Sequence, residues 1–179
     1  DIITVAKGLG AGFQPIGAML ASGRVADALR SGSGVHQHGH TYMSHAVACA
    51  GALAVLDVIQ EEQLLSAVRR AGAVLEASLR DAFGAHPHVG DIRGRGLFRT
   101  LEIVADRTTK APFPVERKLA ARIKAEAQAR GLICYPGSGT ADSTNGDHVL
   151  LAPPFTISDG EIACLVRMLR DTLNAVIPR

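Results

Sequence analysis

The sequence is poor in aromatic residues: it contains no tryptophan, and only 4% of its 179 residues are aromatic. Proteins that bind single-stranded nucleic acid stack bases on aromatic side chains set among basic ones. The arginine-rich motif R-G-R-G at residues 93–96 lacks this aromatic interleaving and is not repeated. We therefore predict a turn at this motif, leading into a strand over residues 97–104. The net charge of +2 also indicates neither a nucleic-acid nor an acidic partner.

Cysteine is scarce as well. The three cysteines, Cys49, Cys134 and Cys164, have neither a paired nor a metal-type spacing. This pattern predicts reduced thiols and a cytoplasmic location rather than a disulfide framework. No apolar run reaches the length of a membrane-spanning helix, and no basic and apolar segment resembles a secretion signal.

The sequence does contain enough apolar residues for a hydrophobic core, since 47% of it is hydrophobic. A chain of this length can form one domain or parts of two. Its most informative stretch is residues 1–20. The β-branched run Ile2–Val5 predicts a buried strand. Lys7 follows it, and Gly8, Gly10 and Gly12 then allow a sharp turn and the close approach of a ligand.

A lysine at the end of an apolar strand is a candidate nucleophile. Desolvation favours the neutral amine, which can form a Schiff base with a carbonyl compound. The commoner interpretation of Lys7 alone is a surface residue. Dinucleotide binding is disfavoured because Phe13 stands where the third glycine belongs and because Asp27 falls in a helix-like segment. A P-loop is disfavoured because Lys7 precedes the glycines.

Residues 4–18, T-V-A-K-G-L-G-A-G-F-Q-P-I-G-A, resemble the cofactor-lysine segment of class III aminotransferases, the ω-amino acid and amine type. These are pyridoxal-phosphate enzymes of fold type I. The resemblance implies that Lys7 binds pyridoxal 5'-phosphate covalently. It also implies an α/β chain that corresponds to the C-terminal part of the enzyme, with the N-terminal portion missing. Residues 1–60 would then be the end of the large mixed-sheet domain with its linking helix, and residues 61–179 the small α/β domain.

Four histidines lie close together: His36, His38, His40 and His45. In an extended segment the first three would share one side, so a metal site is an alternative. The sequence H-G-H-T-Y resembles instead the family's loop that reaches across a homodimer. That resemblance makes His40 and Thr41 cofactor-binding residues, with the Thr41 hydroxyl bonded to the cofactor phosphate of the neighbouring subunit. The family often continues with Gly-His-Pro; here the residues are Ser44-His45-Ala46, which leaves the start of the next helix less constrained.

Hydrophobic periodicity and breaker residues outline the remaining elements. Ser158 and Glu161 predict a capping box at the start of the last helix. The small-residue helix over 46–59 has no charge before Asp57, which indicates burial. The predicted helices cover residues 24–30, 46–59, 61–83, 115–130 and 159–177, and the further predicted strands cover residues 18–21, 132–135 and 148–152.

The resemblance implies a transamination. Lys7 would act as general base and acid, and the amino group would pass by a ping-pong route from an amine or ω-amino acid to a keto acid, pyruvate or 2-oxoglutarate. An aminomutase, racemase or decarboxylase of the same fold, and more remotely a histidine-rich metal-binding module, stay open. Many relatives that bind carboxylates have an arginine where this chain has Leu150. Arg93, Arg95 or an arginine in the missing N-terminal portion could replace it, or the substrate could lack a carboxylate there.

Overall fold

A computed structural model describes residues 1–177. The chain forms two compact units, Asp1–Leu64 and a second that begins at Leu65. The predicted division near residue 61 falls close to this boundary, but the assignment of the units to domains of a larger enzyme stays a prediction. Within residues 1–177, no helix is long and apolar enough to cross a membrane.

The first unit contains two strands and two helices, which are β1 (Ile2–Val5), β2 (Ala18–Ala21), α1 (Gly23–Ser31) and α2 (Ala46–Glu61). β1 and β2 form an antiparallel two-stranded sheet. The prediction that β1 is buried is wrong for this chain, because Ile2 and Ile3 are 57% and 63% exposed. The physical reason is that β1 pairs with one neighbour and neither face of this small sheet is covered by the described residues. A two-stranded sheet of this kind is marginally stable alone.

The second unit is an antiparallel sheet with helices. Its strand order is β3-β4-β6-β5, and every neighbouring pair is antiparallel. Leu101 and Val149, from the two central strands, are buried in one cluster with Leu79, Ile123 and Leu169 from three helices. The elements are α3 (Leu64–Phe83), β3 (Val89–Arg95), β4 (Phe98–Ile103), α4 (Leu119–Ala129), β5 (Tyr135–Gly137), β6 (Asp147–Leu151) and α5 (Asp159–Val176).

Local backbone geometry corrects three predicted boundaries. The helix predicted over 115–130 is broken at Lys118, whose left-handed φ of 48° separates a short 3₁₀ turn from α4. Strand β3 continues through Arg95, so the turn lies at residues 96–97, where Gly96 has a φ of 56°. The strand predicted over 132–135 begins at Tyr135 because Leu132 is buried in the core at the end of α4. The capping box of Ser158 and Glu161 is confirmed.

One charged side chain lies inside the second unit. The guanidinium of Arg99, on β4, donates hydrogen bonds to the carbonyl oxygens of Gly72, Gly94 and Gly96. It also forms an ion pair with Glu76 on α3 at 2.8 Å. The side chain of Arg99 is 8% exposed and that of Glu76 is 35% exposed. This cluster ties the β3–β4 turn to the middle of α3.

The ion pair predicts an acid-sensitive contribution to stability. A hydrogen bond from Arg80, followed by the charge of Arg99, lowers the pKa of the Glu76 carboxyl below its usual 4.5. A lowered pKa in the folded state means that this stabilisation is complete above pH 4.5 and is lost as the pH falls through the folded-state value. We expect Glu76→Gln to lower the melting temperature at pH 7. Thermal unfolding of both proteins between pH 7 and pH 2 should show the difference closing at acid pH; a constant difference would contradict this.

Candidate active site

Lys7 lies in a short 3₁₀ turn, Lys7–Leu9, that directly follows β1. Its φ of 53° is in the left-handed region, which is uncommon for residues with a Cβ. The turn closes through hydrogen bonds from the amide of Leu9 to the Ala6 carbonyl at 3.1 Å and from the amide of Gly10 to the Lys7 carbonyl at 3.2 Å. Backbone strain of this kind clusters at active sites and ligand clamps. The candidate nucleophile therefore occupies an unusual backbone conformation held by its own turn.

The amine of Lys7 forms no hydrogen bond or ion pair with the described residues, and the side chain is exposed. The expectation that β1 would desolvate this amine is therefore wrong for residues 1–177. The reason is again the uncovered two-stranded sheet from which Lys7 emerges. What the turn does provide is access: a Cβ added at Gly8 would meet no atom within 4 Å.

The other two predicted glycines differ in their roles. Gly12 has a φ of 84°, which favours glycine, and the preceding Ala11 has a φ of 46°. Gly10 is buried, and a Cβ there would collide with the carbonyl oxygen of Gln14. Two of these three positions thus require glycine, one for its φ and one for the close approach of a backbone carbonyl.

The histidine-rich segment over residues 36–40 is exposed and belongs to neither a helix nor a strand. As alternation predicts, neighbouring rings contact each other: the ring centroids of His36 and His38 are 6.0 Å apart, and those of His38 and His40 are 5.1 Å apart. Within the part of the chain that the structure describes, no group of three or more histidine, cysteine or acidic side chains is arranged to hold a metal ion. The structure therefore gives the metal-binding alternative no support.

Thr41 is the first residue of a turn between the histidines and α2. The amide of Met43 donates to the carbonyl of His40 at 3.0 Å and so closes this turn. Ser44 then takes a φ of 58° at the position where the resembling loop often has glycine. No hydrogen bond among residues 1–177 engages the Thr41 hydroxyl, so it is free to donate to a ligand.

His45 has a role that the sequence interpretation missed. It is the N-cap of α2, and its Nδ1 accepts a hydrogen bond from the amide of Ala48 at 3.4 Å. The ring thus satisfies one of the unpaired donors at the start of the helix, where proline is absent. The signal was a polar residue immediately before a helical run, but the spacing of the neighbouring histidines drew attention to metal binding instead.

The structure brings the Lys7 turn and α2 into contact. It does not join Lys7 to His40 or Thr41 by any hydrogen bond among the described residues. This separation is compatible with the implied arrangement, in which Thr41 serves the cofactor of a neighbouring subunit. The contribution of His40 and Thr41 to cofactor binding stays a prediction.

The second unit locates the candidate carboxylate-binding residues. Leu150 lies on β6, opposite Thr100 on β4 and Tyr135 on β5. Arg93 is engaged by Glu102 at 2.5 Å and by Asp91 at 3.1 Å. The hydrogen bond to Glu102 first, and that to Asp91 second, raise the pKa of Arg93. Because two carboxylates of its own chain already hold this guanidinium, Arg93 is a poor candidate for binding the carboxylate of a substrate.

Solved transaminase structures share the fold of this chain. It aligns with an (S)-enantioselective omega-transaminase from Thermomicrobium roseum at a TM-score of 0.90 and 36% identity, over 99% of this chain and 38% of the other. It aligns with an amine transaminase from an uncultivated Pseudomonas species, solved in its PLP-bound form, at a TM-score of 0.88 and 34% identity, over 98% and 38% of the two chains. The α/β architecture is therefore part of a transaminase fold of type I.

Sequence comparison identifies the family. The profile of the family described as aminotransferase class III matches residues 1–173, and the chain belongs to this family. An aminotransferase of Gibberella zeae is 44% identical over 174 residues, which are 97% of this chain and 34% of that protein. The chain thus spans between one third and two fifths of the length of the relatives it matches.

Proposed function

We propose that the protein is a pyridoxal-phosphate-dependent aminotransferase in which Lys7 binds the cofactor and transfers protons. The observation that carries this proposal is the exposed, unpaired amine of Lys7 on a strained left-handed turn directly after β1. Membership of the class III family supports it. A primary amine at such a position can condense with an aldehyde, which is the chemistry that the cofactor requires.

The residues present fit the cofactor. Lys7 offers an amine to the aldehyde of one cofactor. Thr41, five residues before the N-terminus of α2, offers an unengaged hydroxyl to the phosphate of the cofactor in the neighbouring subunit. His40 adds a ring next to Thr41. The cofactor, when bound, supplies the electron sink for cleavage of the C–H bond at the substrate α-carbon. In our proposal the Lys7 Nζ takes the proton from the substrate α-carbon and delivers it to the cofactor carbon that carries the aldehyde group, acting first as general base and then as general acid.

The complete enzyme has further partners in this proposal. Helix α2 exposes Val47, Leu53 and Leu56 on the described surface, and a helix that is apolar on all sides is normally buried. We propose that further polypeptide of the same protein and a second subunit of a homodimer cover this helix and complete the pocket. Residues 1–60 would then belong to the large domain, and the region from residue 61 to the small one. A cytoplasmic location stays a prediction.

The substrate proposed is an amine or an ω-amino acid, with a keto acid as acceptor. Leu150 cannot form the two-pronged contact by which arginine holds a carboxylate. The two carboxylates around Arg93 argue against that residue as a replacement. We therefore propose an amino donor that lacks a carboxylate at this point, or one whose carboxylate is held by the exposed Arg95 or by an arginine outside the described residues.

The stoichiometry of the half-reaction tests the proposed activity. Amino donor added to the complete protein without an acceptor should yield about one equivalent of ketone or aldehyde per Lys7 and then stop, because the amino group remains on the protein until a keto acid removes it. Addition of pyruvate or 2-oxoglutarate should restart the reaction. The product is measured by chromatography. Many turnovers of the donor without an acceptor, to products that keep the amino group, would favour an aminomutase, racemase or decarboxylase instead.

A further inference from the structure

Gly51 lies in the middle of α2, where glycine is unfavourable. A glycine in a helix interior costs about 0.5–1 kcal/mol relative to alanine. A Cβ at Gly51 would lie 2.7 Å from the Cγ of Gln14 and 3.6 Å from its Cβ. The missing side chain of Gly51 is thus replaced by the aliphatic part of Gln14, which comes from the loop after the Lys7 turn.

Gln14 makes a second close approach at its backbone. Its carbonyl oxygen covers Gly10, where a Cβ would collide with it. Gly10 also receives the turn's own hydrogen bonds: its amide donates to the Lys7 carbonyl, and its carbonyl accepts from the amide of Phe13 at 2.8 Å. Gln14 therefore packs against two glycines, with its backbone carbonyl against Gly10 in the Lys7 turn and its side chain in the notch at Gly51 in α2.

Gly51 is half-buried and lies at the edge of the covered face of the helix, with the buried Ala48 on one side of it and the exposed Val47 on the other. Ala48 and Ala52, three residues before and one after, are 8% and 6% exposed, whereas Val47 and Leu53 are each 61% exposed. Residues three and four apart share one helix face. Gln14 is half-buried, and no hydrogen bond of its side-chain amide is present among residues 1–177. Its contribution is therefore the packing of its methylene groups.

We propose that Gln14 is a positioning residue that fixes the Lys7 turn against α2 by inserting its side chain into the notch at Gly51. This inference rests on the proposed function, since it assigns to Gln14 the orientation of the Lys7 amine. Phe13 and Pro15, on either side of Gln14, are exposed and do not share this role. A misplacement of a reacting group by about 1 Å can lower a rate by up to roughly a hundredfold.

The test follows covalent attachment of pyridoxal phosphate at Lys7 in the complete protein. The amine and the aldehyde condense with loss of one water; borohydride then adds hydride to the carbon, and solvent supplies the proton to nitrogen. The stable product is quantified over time by peptide mass spectrometry. The variants are Gly51→Ala, Gln14→Ala, their double mutant and Gln14→Met, with Gly23→Ala in α1 as the control because a Cβ at Gly23 meets no atom within 4 Å.

We expect Gly51→Ala and Gln14→Ala each to slow attachment about tenfold. Attachment in the double mutant should be no slower than in either single mutant, because both substitutions disrupt the same contact between Gln14 and Gly51. Gln14→Met retains the methylene groups, and Gly23→Ala leaves the notch untouched, so both should behave as the original protein. The melting temperature should recover in the double mutant while attachment stays slow, which a purely structural role would not produce.

Amide hydrogen exchange over residues 8–13 gives a second readout that needs no cofactor. Gly51→Ala should accelerate it about tenfold, and Gly23→Ala should not. If Gly51→Ala only raises the melting temperature and leaves attachment and exchange unchanged, the positioning role is wrong. If the original protein attaches no pyridoxal phosphate at Lys7, the proposed function fails, and amide exchange still decides whether Gln14 fixes the turn.

Discussion

Lys7→Ala is expected to abolish covalent attachment of pyridoxal phosphate and to lower transamination by more than about 10³-fold. The magnitude follows from the loss of a group that acts both as the nucleophile and as the proton-transfer residue. The side chain is exposed and makes no hydrogen bond or ion pair among residues 1–177, so its removal should leave the melting temperature of the protein without cofactor nearly unchanged. Absorbance of the bound cofactor and amine-to-keto-acid turnover measure the effect.

Two variants separate chemistry from charge. Lys7→Arg retains the positive charge but loses the nucleophile, and it should be as inactive as Lys7→Ala. Lys124→Ala, which removes an exposed lysine of α4, should retain full activity and full attachment. Retention of the cofactor band and of turnover in Lys7→Ala would show that another amine is responsible and would remove the basis of the proposed function.

Much of the fold was predictable because its elements are long and regular. Helices α3 and α5 follow hydrophobic periodicity, and α2 is indicated by its content of small apolar residues. The Ser158 and Glu161 capping box is a local signal that needs no tertiary information. The helix predicted over 115–130 was wrong because a single backbone angle determines where the helix begins. Nothing in the composition around Lys118 announces a left-handed residue, yet its φ of 48° divides the helix predicted over 115–130.

The family was predictable from the residues around Lys7, whereas the site residues stay predictions and the exposure of β1 was not foreseen. The order of residues around Lys7 identified the family, which the profile match over residues 1–173 confirms. Burial of β1 was inferred from its apolar residues alone, and burial depends on neighbours that the described chain does not contain. The notch at Gly51 could not be predicted for a similar reason: a glycine among alanines does not indicate which side chain packs against it.

The burial of Arg99 could not be predicted either, because a charged residue in a strand is normally exposed. The sequence analysis considered only Arg93 and Arg95, and only as substrate ligands. In the structure these arginines differ in burial. Arg93 is half-exposed and held by two carboxylates, whereas Arg99 alone, with 8% of its side chain exposed, lies among backbone carbonyls. Exposed ion pairs contribute little to stability, and buried ones are costly to break.

Arg99→Leu is therefore expected to lower the free energy of unfolding of the second unit by about 1–3 kcal/mol. The change removes the Arg99 donor from the buried carbonyl of Gly72, bonded at 3.3 Å, and from the part-buried carbonyls of Gly94 and Gly96. It also deprives Glu76 of a cation 2.8 Å away. An unsatisfied buried acceptor costs about 1–3 kcal/mol. Urea unfolding followed by circular dichroism measures the loss.

Arg93→Gln is the matched control, because it removes an arginine of the same hairpin whose own side chain is 49% exposed; it should cost no more than about 1 kcal/mol. Arg99→Lys should fall between the two, since an ammonium cannot reproduce the fork that spans the Gly72, Gly94 and Gly96 carbonyls. A loss below 1 kcal/mol in Arg99→Leu would mean that the turn and α3 hold together without the cation. The close approach of Gly72 to Gly96, where a Cβ would lie 2.6 Å from the backbone, would then be the dominant contact between them.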